Sequence, residues 1–265
     1  MIHPIKSIIS RQQCWVIKNF NKSIYSKKLK RFKNIHSGDL CFIVGNGPSL
    51  NPTDLNLISD YNLTSFGFNR IYLMFENTDW RPTYYMSQDE KMLGNCVQQV
   101  NDMDLDYKFI PIFHKYYHNI NINNAYYFNL KTNANGDTFF SEDIAESIGA
   151  STTVTCSAIQ MAVYMGFKKI YLIGIDHNFA TYTNDKGEMI HDDSIRDYFS
   201  DEYFNDKAQL YTPNLDASTR AYIVMREYCD SHGIDIYNAT RGGKLEVFKR
   251  VNLDEVFGQL NKEMK

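Results

Sequence analysis

The stretch Leu40-Cys-Phe-Ile-Val-Gly-Asn-Gly-Pro-Ser-Leu50 constrains the fold more than any other part of the chain. Leu40 to Val44 is an unbroken apolar run that passes directly into a Gly-Asn-Gly-Pro-Ser turn. Such a run reads as a buried strand of a parallel sheet. A helix is expected to start near Thr53-Asp54, with Thr53 as its cap and Asp54 facing the positive end of the helix dipole. A strand that ends in glycines and opens a helix is where α/β proteins hold phosphate. Gly45 and Gly47 carry no Cβ, so the backbone can come close to a ligand. Asn46 between them offers both a donor and an acceptor, and Pro48 and Ser49 complete the turn. An ordinary strand-to-helix turn can use the same Gly-x-Gly, so this turn gains weight only if other strand ends share its character.

Four more strand ends repeat the pattern. Asn62 to Phe68 reads as a strand ending in Asn69-Arg70. Pro82 to Met86 ends in Ser87-Gln88-Asp89. Lys169 to Asp176 is almost uniformly apolar, which places it mid-sheet, and it ends in Gly174-Ile-Asp-His-Asn178. Ile234 to Tyr237 is followed by Asn238-Ala-Thr-Arg-Gly-Gly-Lys244, which contributes Asn238 and Thr240. Lys108 to Ile112 and Ala125 to Leu130 are further strands, with His114 and His118 in a loop between them. Those two could share a metal only if the loop were helical.

Ser141 to Ser147 reads as a short helix. Val154 to Met165 reads as a longer one ending at Gly166, with Ser151, Thr152 and Thr153 at its start. Those hydroxyls and the free amide groups of a first turn make a second anion-friendly helix start, although Ser and Thr cap helices everywhere. Thr181 to Pro213 is long, polar and aromatic, as lids are. Leu215 to His232 and Leu253 to Met264 complete the helices. The chain is therefore expected to be α/β, a Rossmann-like and mostly parallel sheet with helices on both faces, a lid segment, and a ligand site along the sheet's C-terminal edge.

Charge divides the chain unevenly. Met1 to Ser37 holds nine Lys or Arg and no acid; the chain is −3 overall, so those nine leave the remainder at −12. Residues 1–37 are expected to form a basic helical segment, and residues 38–265 a nucleotide-binding catalytic domain with its lid at about 181–213. The basic segment also carries Trp15, Ile24 and Tyr25, a composition that suits an anionic membrane surface. The acidic body argues against nucleic acid. The five cysteines are scattered without a CxxC pair, as in reduced cytosolic proteins. No run of about 18 apolar residues spans a membrane, and no signal peptide is read at the N-terminus. A cytoplasmic protein, peripheral on the inner face of the membrane, is expected.

Ile43-Val-Gly-Asn-Gly-Pro-Ser-Leu50, taken with Gly166-Phe-Lys-Lys-Ile-Tyr-Leu-Ile-Gly-Ile-Asp176, resembles the 6-hydroxymethylpterin diphosphokinase MptE-like superfamily, formerly a domain of unknown function. That superfamily includes the family 42 bacterial sialyltransferases and the motility-associated Maf flagellin glycosyltransferases. The resemblance covers roughly residues 38–250, and Asn238-Ala-Thr with Gly-Gly-Lys-Leu-Glu-Val-Phe248 is similar to the closing motif of members from surface-polysaccharide gene clusters. It implies that Gly45, Asn46 and Gly47 hold the donor's phosphate and ribose, and that Asn69 and Ser151 to Thr153 contact the nucleotide. Gly174, Ile175 and Asp176 would lie beneath nucleotide and sugar. Two departures matter. The sialyltransferases place a catalytic His in the late lid, where this chain reads Gln209-Leu-Tyr-Thr-Pro213. Their tyrosine after Gly-Ile-Asp is replaced by His177-Asn178.

The resemblance implies a glycosyltransferase using a nucleotide-activated sugar, with a CMP-nonulosonate or related donor and a glycan or lipid-linked glycan acceptor. Such chemistry needs a base for the acceptor hydroxyl and stabilisation of the departing phosphate. His177, at a rigid strand end beside Asp176, is preferred as base over His191 in the lid. Asp176 could orient His177 only across a turn, because neighbours on an extended strand point opposite ways. Asn178, Tyr182, Tyr198 and Tyr211 are candidate lid and substrate contacts, joined by Asn238 and Thr240. Arg70, Ser87, Gln88 and Asp89 are candidate nucleotide contacts by their place at strand ends. The alternative is diphosphoryl transfer from ATP to a pterin alcohol, which needs Mg2+ held by carboxylates such as Asp89, Asp176, Asp192 and Asp193. A non-catalytic nucleotide-binding module fits the long polar lid poorly. A dinucleotide-binding dehydrogenase is excluded, since no full Gly-x-Gly-x-x-Gly and no following acidic ribose anchor is present.

Overall fold

The computed structural model describes residues 15–204 and 211–263. The strands in chain order are β1 (Leu40–Val44), β2 (Ser65–Phe68), β3 (Tyr84–Met86), β4 (Lys108–Pro111), β5 (Ala125–Phe128), β6 (Leu130–Lys131), β7 (Ile148–Gly149), β8 (Lys169–Ile173), β9 (Thr181–Thr183), β10 (Met189–His191), β11 (Asp235–Asn238) and β12 (Lys249–Arg250). Eight of them form one sheet in the order β12-β11-β8-β1-β2-β3-β4-β5, and every pair in it is parallel. This is a Rossmann-like α/β fold. From β1 the chain works outward through β2 to β5. It then crosses back to β8 on the other side of β1 and continues to β11 and β12. The order therefore reverses between β1 and β8, and open parallel sheets bind ligands at such a reversal, beyond the strands' C-terminal ends.

Cys41 to Val44 and Ile170 to Ile173 are buried, as strands covered on both faces must be. The Val154–Met165 helix is buried almost all round, Thr155 to Ala162 without a break. It ends where expected, at Gly166 with φ 98°. The Leu253–Glu263 helix buries one stripe, Leu253, Val256, Phe257 and Leu260, and Phe257 stacks on Phe42 of β1.

Several boundaries differ from the sequence reading, some for a local reason and some through a distant partner. The helix after the first turn spans Pro52–Asp60 and is capped by Asn51, not Thr53; Asn51 Oδ1 accepts from the Asp54 amide at 2.9 Å. Pro52 has no N–H to satisfy and a preset φ, so it takes the first helical position and shifts the cap upstream. Strand β2 begins only at Ser65, because Asn62 turns the chain with φ 49°. Strand β8 stops at Ile173, short of Asp176, because Gly174 takes φ 64°. Ser141 to Ser147 is not helical. The Gln160 side chain accepts from the Ser141 and Gly149 amides at 3.0 and 2.8 Å, and Ile148–Gly149 pairs with β6. His114 lies in a helix, Ile112–Tyr117, with His118 following it, and not in a loop. The Thr181–Pro213 segment contains the antiparallel pair β9–β10 and a short 3-10 turn, Asp201–Phe204.

The N-terminal residues that are described do not stand apart. Phe20, Leu29 and Phe32 are buried in the main core, with Phe32 ringed edge-on by Tyr84, Tyr107, Phe109 and Tyr126. Lys18, Lys22, Lys27, Lys28, Lys30, Arg31 and Lys33 are all exposed. Lys6, Arg11, Gln209 and Leu210 lie outside the described residues. Among those residues no helix is long and apolar enough to cross a membrane.

Candidate functional site

A cavity of about 530 Å³ opens at the β1/β8 reversal. Each neighbouring strand end contributes to it: Gly45, Asn46 and Gly47 after β1, Asn69 after β2, Gln88 and Asp89 after β3, and Gly174 to Asn178 after β8. Ser151, Thr152 and Thr153 approach from the helix start, and Tyr198 and Tyr211 from the lid. The glycines have a stricter reason than access for a ligand. A Cβ on Gly45 would lie 2.3 Å from the Gly174 carbonyl oxygen, and one on Gly47 would lie 1.8 Å from Asp176 Oδ2. The two strand ends touch, and Gly45 N and Gly47 N donate across the seam to Ile173 and Gly174 at 2.8 and 2.9 Å.

The polar side chains hold one another. Asn46 Nδ2 donates to the Phe68 carbonyl at 3.1 Å, and the lid reaches back when Phe199 N donates to the Asn46 carbonyl at 3.1 Å. Asn46 Oδ1 is buried without a partner among the described residues. A buried acceptor left so costs about 1–3 kcal/mol, and a donor group on a ligand would relieve it. Gln88 ties the β3 end to the helix start, donating to the Ser151 carbonyl at 3.1 Å and accepting from Ser157 Oγ at 2.7 Å. Asn69, at φ 50°, accepts from Ser87 Oγ at 2.9 Å.

Other expected residues sit behind the cavity wall. Ser87 supports Asn69. Ser49 Oγ donates to Asp176 Oδ2 at 2.7 Å, which offsets part of the burial that raises the Asp176 carboxyl's pKa. Pro48 lies in the same turn and does not line the cavity. Arg70 is buried, with Nη1 3.3 Å from the Tyr203 carbonyl. Asn238 and Thr240 order the turn beneath β8, where Thr240 Oγ1 accepts from the Ile175 amide at 3.2 Å. Tyr182 belongs to β9 and lies outside the cavity.

The histidines separate by environment. His177 lines the cavity at φ 51°, a left-handed conformation that His tolerates better than most residues. That turn sends neighbouring side chains apart: Asp176 meets Ser49, while His177 Nε2 lies 2.8 Å from Thr219 Oγ1. Asp176 therefore does not orient His177. Burial lowers the His177 pKa, with Asp216 opposing. His191 is exposed and away from the cavity, with Nδ1 on Thr181 Oγ1 at 2.7 Å and Nε2 on Asp193 Oδ1 at 2.8 Å. His114, weighed from the sequence only as a metal partner of His118, lines the cavity fully buried, and its pKa is pushed down to about 4 by burial. The strand-end rule applied to β4 would have found it. Phe179, Tyr203, Ser218 and Tyr222 also line the cavity and carried no sequence signal.

The carboxylates considered for magnesium do not make a ready ligand set. Asp89 caps the Glu90–Gly94 helix, Asp176 is held by Ser49, and Asp192 and Asp193 are exposed lid residues. Among the described residues no three His, Cys, Asp or Glu gather to hold an ion.

A family model for 6-hydroxymethylpterin diphosphokinase MptE-like proteins matches residues 16–181. The chain belongs to this family. The MptE-like match takes in the glycine turn, the ends of β2 and β3, the Ser151 to Thr153 helix start and the Gly174 to Asn178 turn. It stops as the lid begins. Among solved structures, the MptE-like chain is similar to the Maf glycosyltransferase from Magnetospirillum magneticum AMB-1, at 14% identity and a TM-score of 0.50 over 87% of this chain. It spans only 38% of that protein's length. It is also similar to the sialyltransferase CstII from Campylobacter jejuni, solved with cytidine-5'-monophosphate, at 15% identity and a TM-score of 0.46 over 82% of this chain and 86% of the other. No curated protein matches it significantly.

Proposed function

We propose that the chain is a glycosyltransferase that draws on a nucleotide-activated sugar, with a CMP-nonulosonate or related donor, in surface polysaccharide or glycoconjugate synthesis. The observation that carries this reading is the convergence, in one cavity at the sheet's reversal, of the glycine turn, Asn46 and the Ser151 to Thr153 helix start. Membership of the MptE-like family and the fold shared with a Maf glycosyltransferase support it. The choice of cytidine rests on the motif resemblance around Gly45–Ser49 and Gly174–Asp176. In the reaction, a base takes the proton of an acceptor hydroxyl as its oxygen bonds to the sugar's anomeric carbon. The bond from that carbon to the phosphate oxygen breaks, and the nucleotide leaves with the electron pair. The helix start and its hydroxyls stabilise the leaving phosphate. His177 is the proposed base, since it faces the cavity and His191 does not.

The second reading, Mg2+-dependent diphosphoryl transfer from ATP to a pterin alcohol, is favoured by the family's own description. Thermal unfolding with CMP, CDP, UDP, GDP and ATP, with and without magnesium, separates the two. CMP at 100 times its dissociation constant is expected to add about 2.7 kcal/mol without metal. Stabilisation by ATP alone, and only with magnesium, would overturn the transferase reading.

Residues 1–37 are proposed to dock the catalytic domain, residues 38–265 with its lid at about 181–213, on the cytoplasmic leaflet beside a lipid-linked acceptor. Ile24, Lys27 and Lys28 of the Ile24–Leu29 helix and Arg31 of the 3-10 turn that follows it are all exposed. Each basic residue near an anionic surface contributes about 1 kcal/mol, falling with salt. Deleting the segment would remove Phe20, Leu29 and Phe32 from the core, so charge reversal is the cleaner test. Lys27→Glu/Lys28→Glu/Arg31→Glu is expected to lose cosedimentation with phosphatidylserine vesicles at low salt. Unchanged sedimentation would sink the docking proposal.

A further inference from the structure

The Leu215–Ser231 helix presents Ser218, Thr219 and Tyr222 on one side. Ser218 Oγ lies 2.8 Å from Thr152 Oγ1, and the Tyr222 ring packs edge-on against His177. Thr219 has one hydroxyl proton, and it is committed: Thr219 Oγ1 donates to the Leu215 carbonyl, one turn back in the same helix, at 2.9 Å. Towards His177 the hydroxyl oxygen can therefore only accept. The imidazole nitrogen 2.8 Å away, Nε2, must be the donor. In a neutral ring the other nitrogen, Nδ1, then carries the lone pair. It accepts from no described residue and, unlike His114 Nδ1, it is not among the nitrogens sealed inside the protein.

We propose that Thr219 is a positioning residue that locks His177 in the Nε2–H tautomer and so presents Nδ1 to the cavity as the base. The proposal deepens the transferase reading and rests on it for the reaction, though not for the tautomer. In the transfer step the acceptor hydroxyl's proton passes to Nδ1. The imidazolium keeps its Nε2 proton on Thr219, with the Asp216 carboxylate three residues away on the same helix favouring the charge. The order is helix, hydroxyl, ring, substrate. It is set by a residue more than 40 positions from the histidine and beyond the family match.

Nitrogen-15 NMR of the histidine side chains reads the tautomer in the free, full-length protein, with His177→Gln assigning the signal. Wild type and Thr219→Ser are expected to show Nε2 protonated and Nδ1 bare. Thr219→Val keeps the shape and removes the acceptor, and its ring should shift to mixed tautomers. A wild-type ring protonated at Nδ1, or a Thr219→Val ring identical to wild type, overturns the lock. A second arm follows CMP release from CMP-N-acetylneuraminate. Thr219→Val is expected to lower kcat about tenfold or more with KM unchanged, and Thr219→Ser to restore it. If the tautomer is as expected but His177→Gln turns over normally, the lock stands and His177 as base is overturned, so the two failures are distinguishable.

Discussion

Gly45→Ala is expected to abolish nucleotide binding and to lower stability by about 3 kcal/mol, the upper part of the usual range for forcing an extra methyl into a packed interior. The clash is with backbone, so no rotamer change can relieve it. The new Cβ would lie 2.3 Å from the Gly174 carbonyl oxygen and 2.9 Å from its carbon. Moving the β8 end away would break the hydrogen bonds that Gly45 N and Gly47 N make across the seam. Any accommodation must also move Asp176 and His177, which lie two and three residues after Gly174. Gly258→Ala is the control. That position lies in the Leu253–Glu263 helix with nothing within 4 Å of a Cβ, and it should gain up to about 1 kcal/mol. Urea midpoints, with CMP binding measured separately, check both. A Gly45→Ala protein that melts with wild type and still binds CMP would show that the two strand ends do not need this contact.

The same seam shows why the fold was so legible. Apolar runs such as Leu40 to Val44 and Ile170 to Ile173 suit strands of a parallel sheet covered on both faces, and polar turns at their ends mark one edge of it. Two of the misread elements depend on a distant partner. Ser141 to Ser147 has a helical composition, yet Gln160 takes the Ser141 and Gly149 amides and holds the segment against another helix. Strand β8 ends early because Gly174 must turn to meet Gly45, a constraint invisible from either stretch alone.

The cavity was legible only in part, for a related reason. Strand ends are local, so the rule found Asn46, Asn69, Gln88, Asp89 and His177 from their neighbours in sequence. It could not tell which polar residue at a strand end faces the cavity and which braces a neighbour, as Ser49, Ser87 and Thr240 do. That depends on backbone turns such as φ 51° at His177. Nor could it find the wall built by the Leu215–Ser231 helix, whose Ser218 and Tyr222 look like ordinary positions on an amphipathic helix.

His177→Gln is expected to lower turnover by ~10² to 10⁴ while CMP affinity stays near wild type, since loss of a general base costs that much in rate and leaves ground-state contacts intact. Glutamine keeps a hydrogen-bonding side chain beside Thr219 but cannot take up a proton. His191→Ala should be close to neutral, because that ring is exposed, bonded at both nitrogens to lid residues, and outside the cavity. The pH profile gives an independent check. Burial pushes the His177 pKa down, Asp216 pulls it up, and burial is the larger effect. The ring is therefore neutral and able to accept a proton down to a lower pH than a free histidine. The acid limb of wild-type turnover should lie below about pH 6.5, the ordinary histidine value, and should disappear in His177→Gln. Asp216→Asn removes the opposing charge and should move that limb further down. If His177→Gln retains near-normal turnover with an unchanged acid limb, the base is another group, and Asp176 in the cavity wall becomes the first candidate.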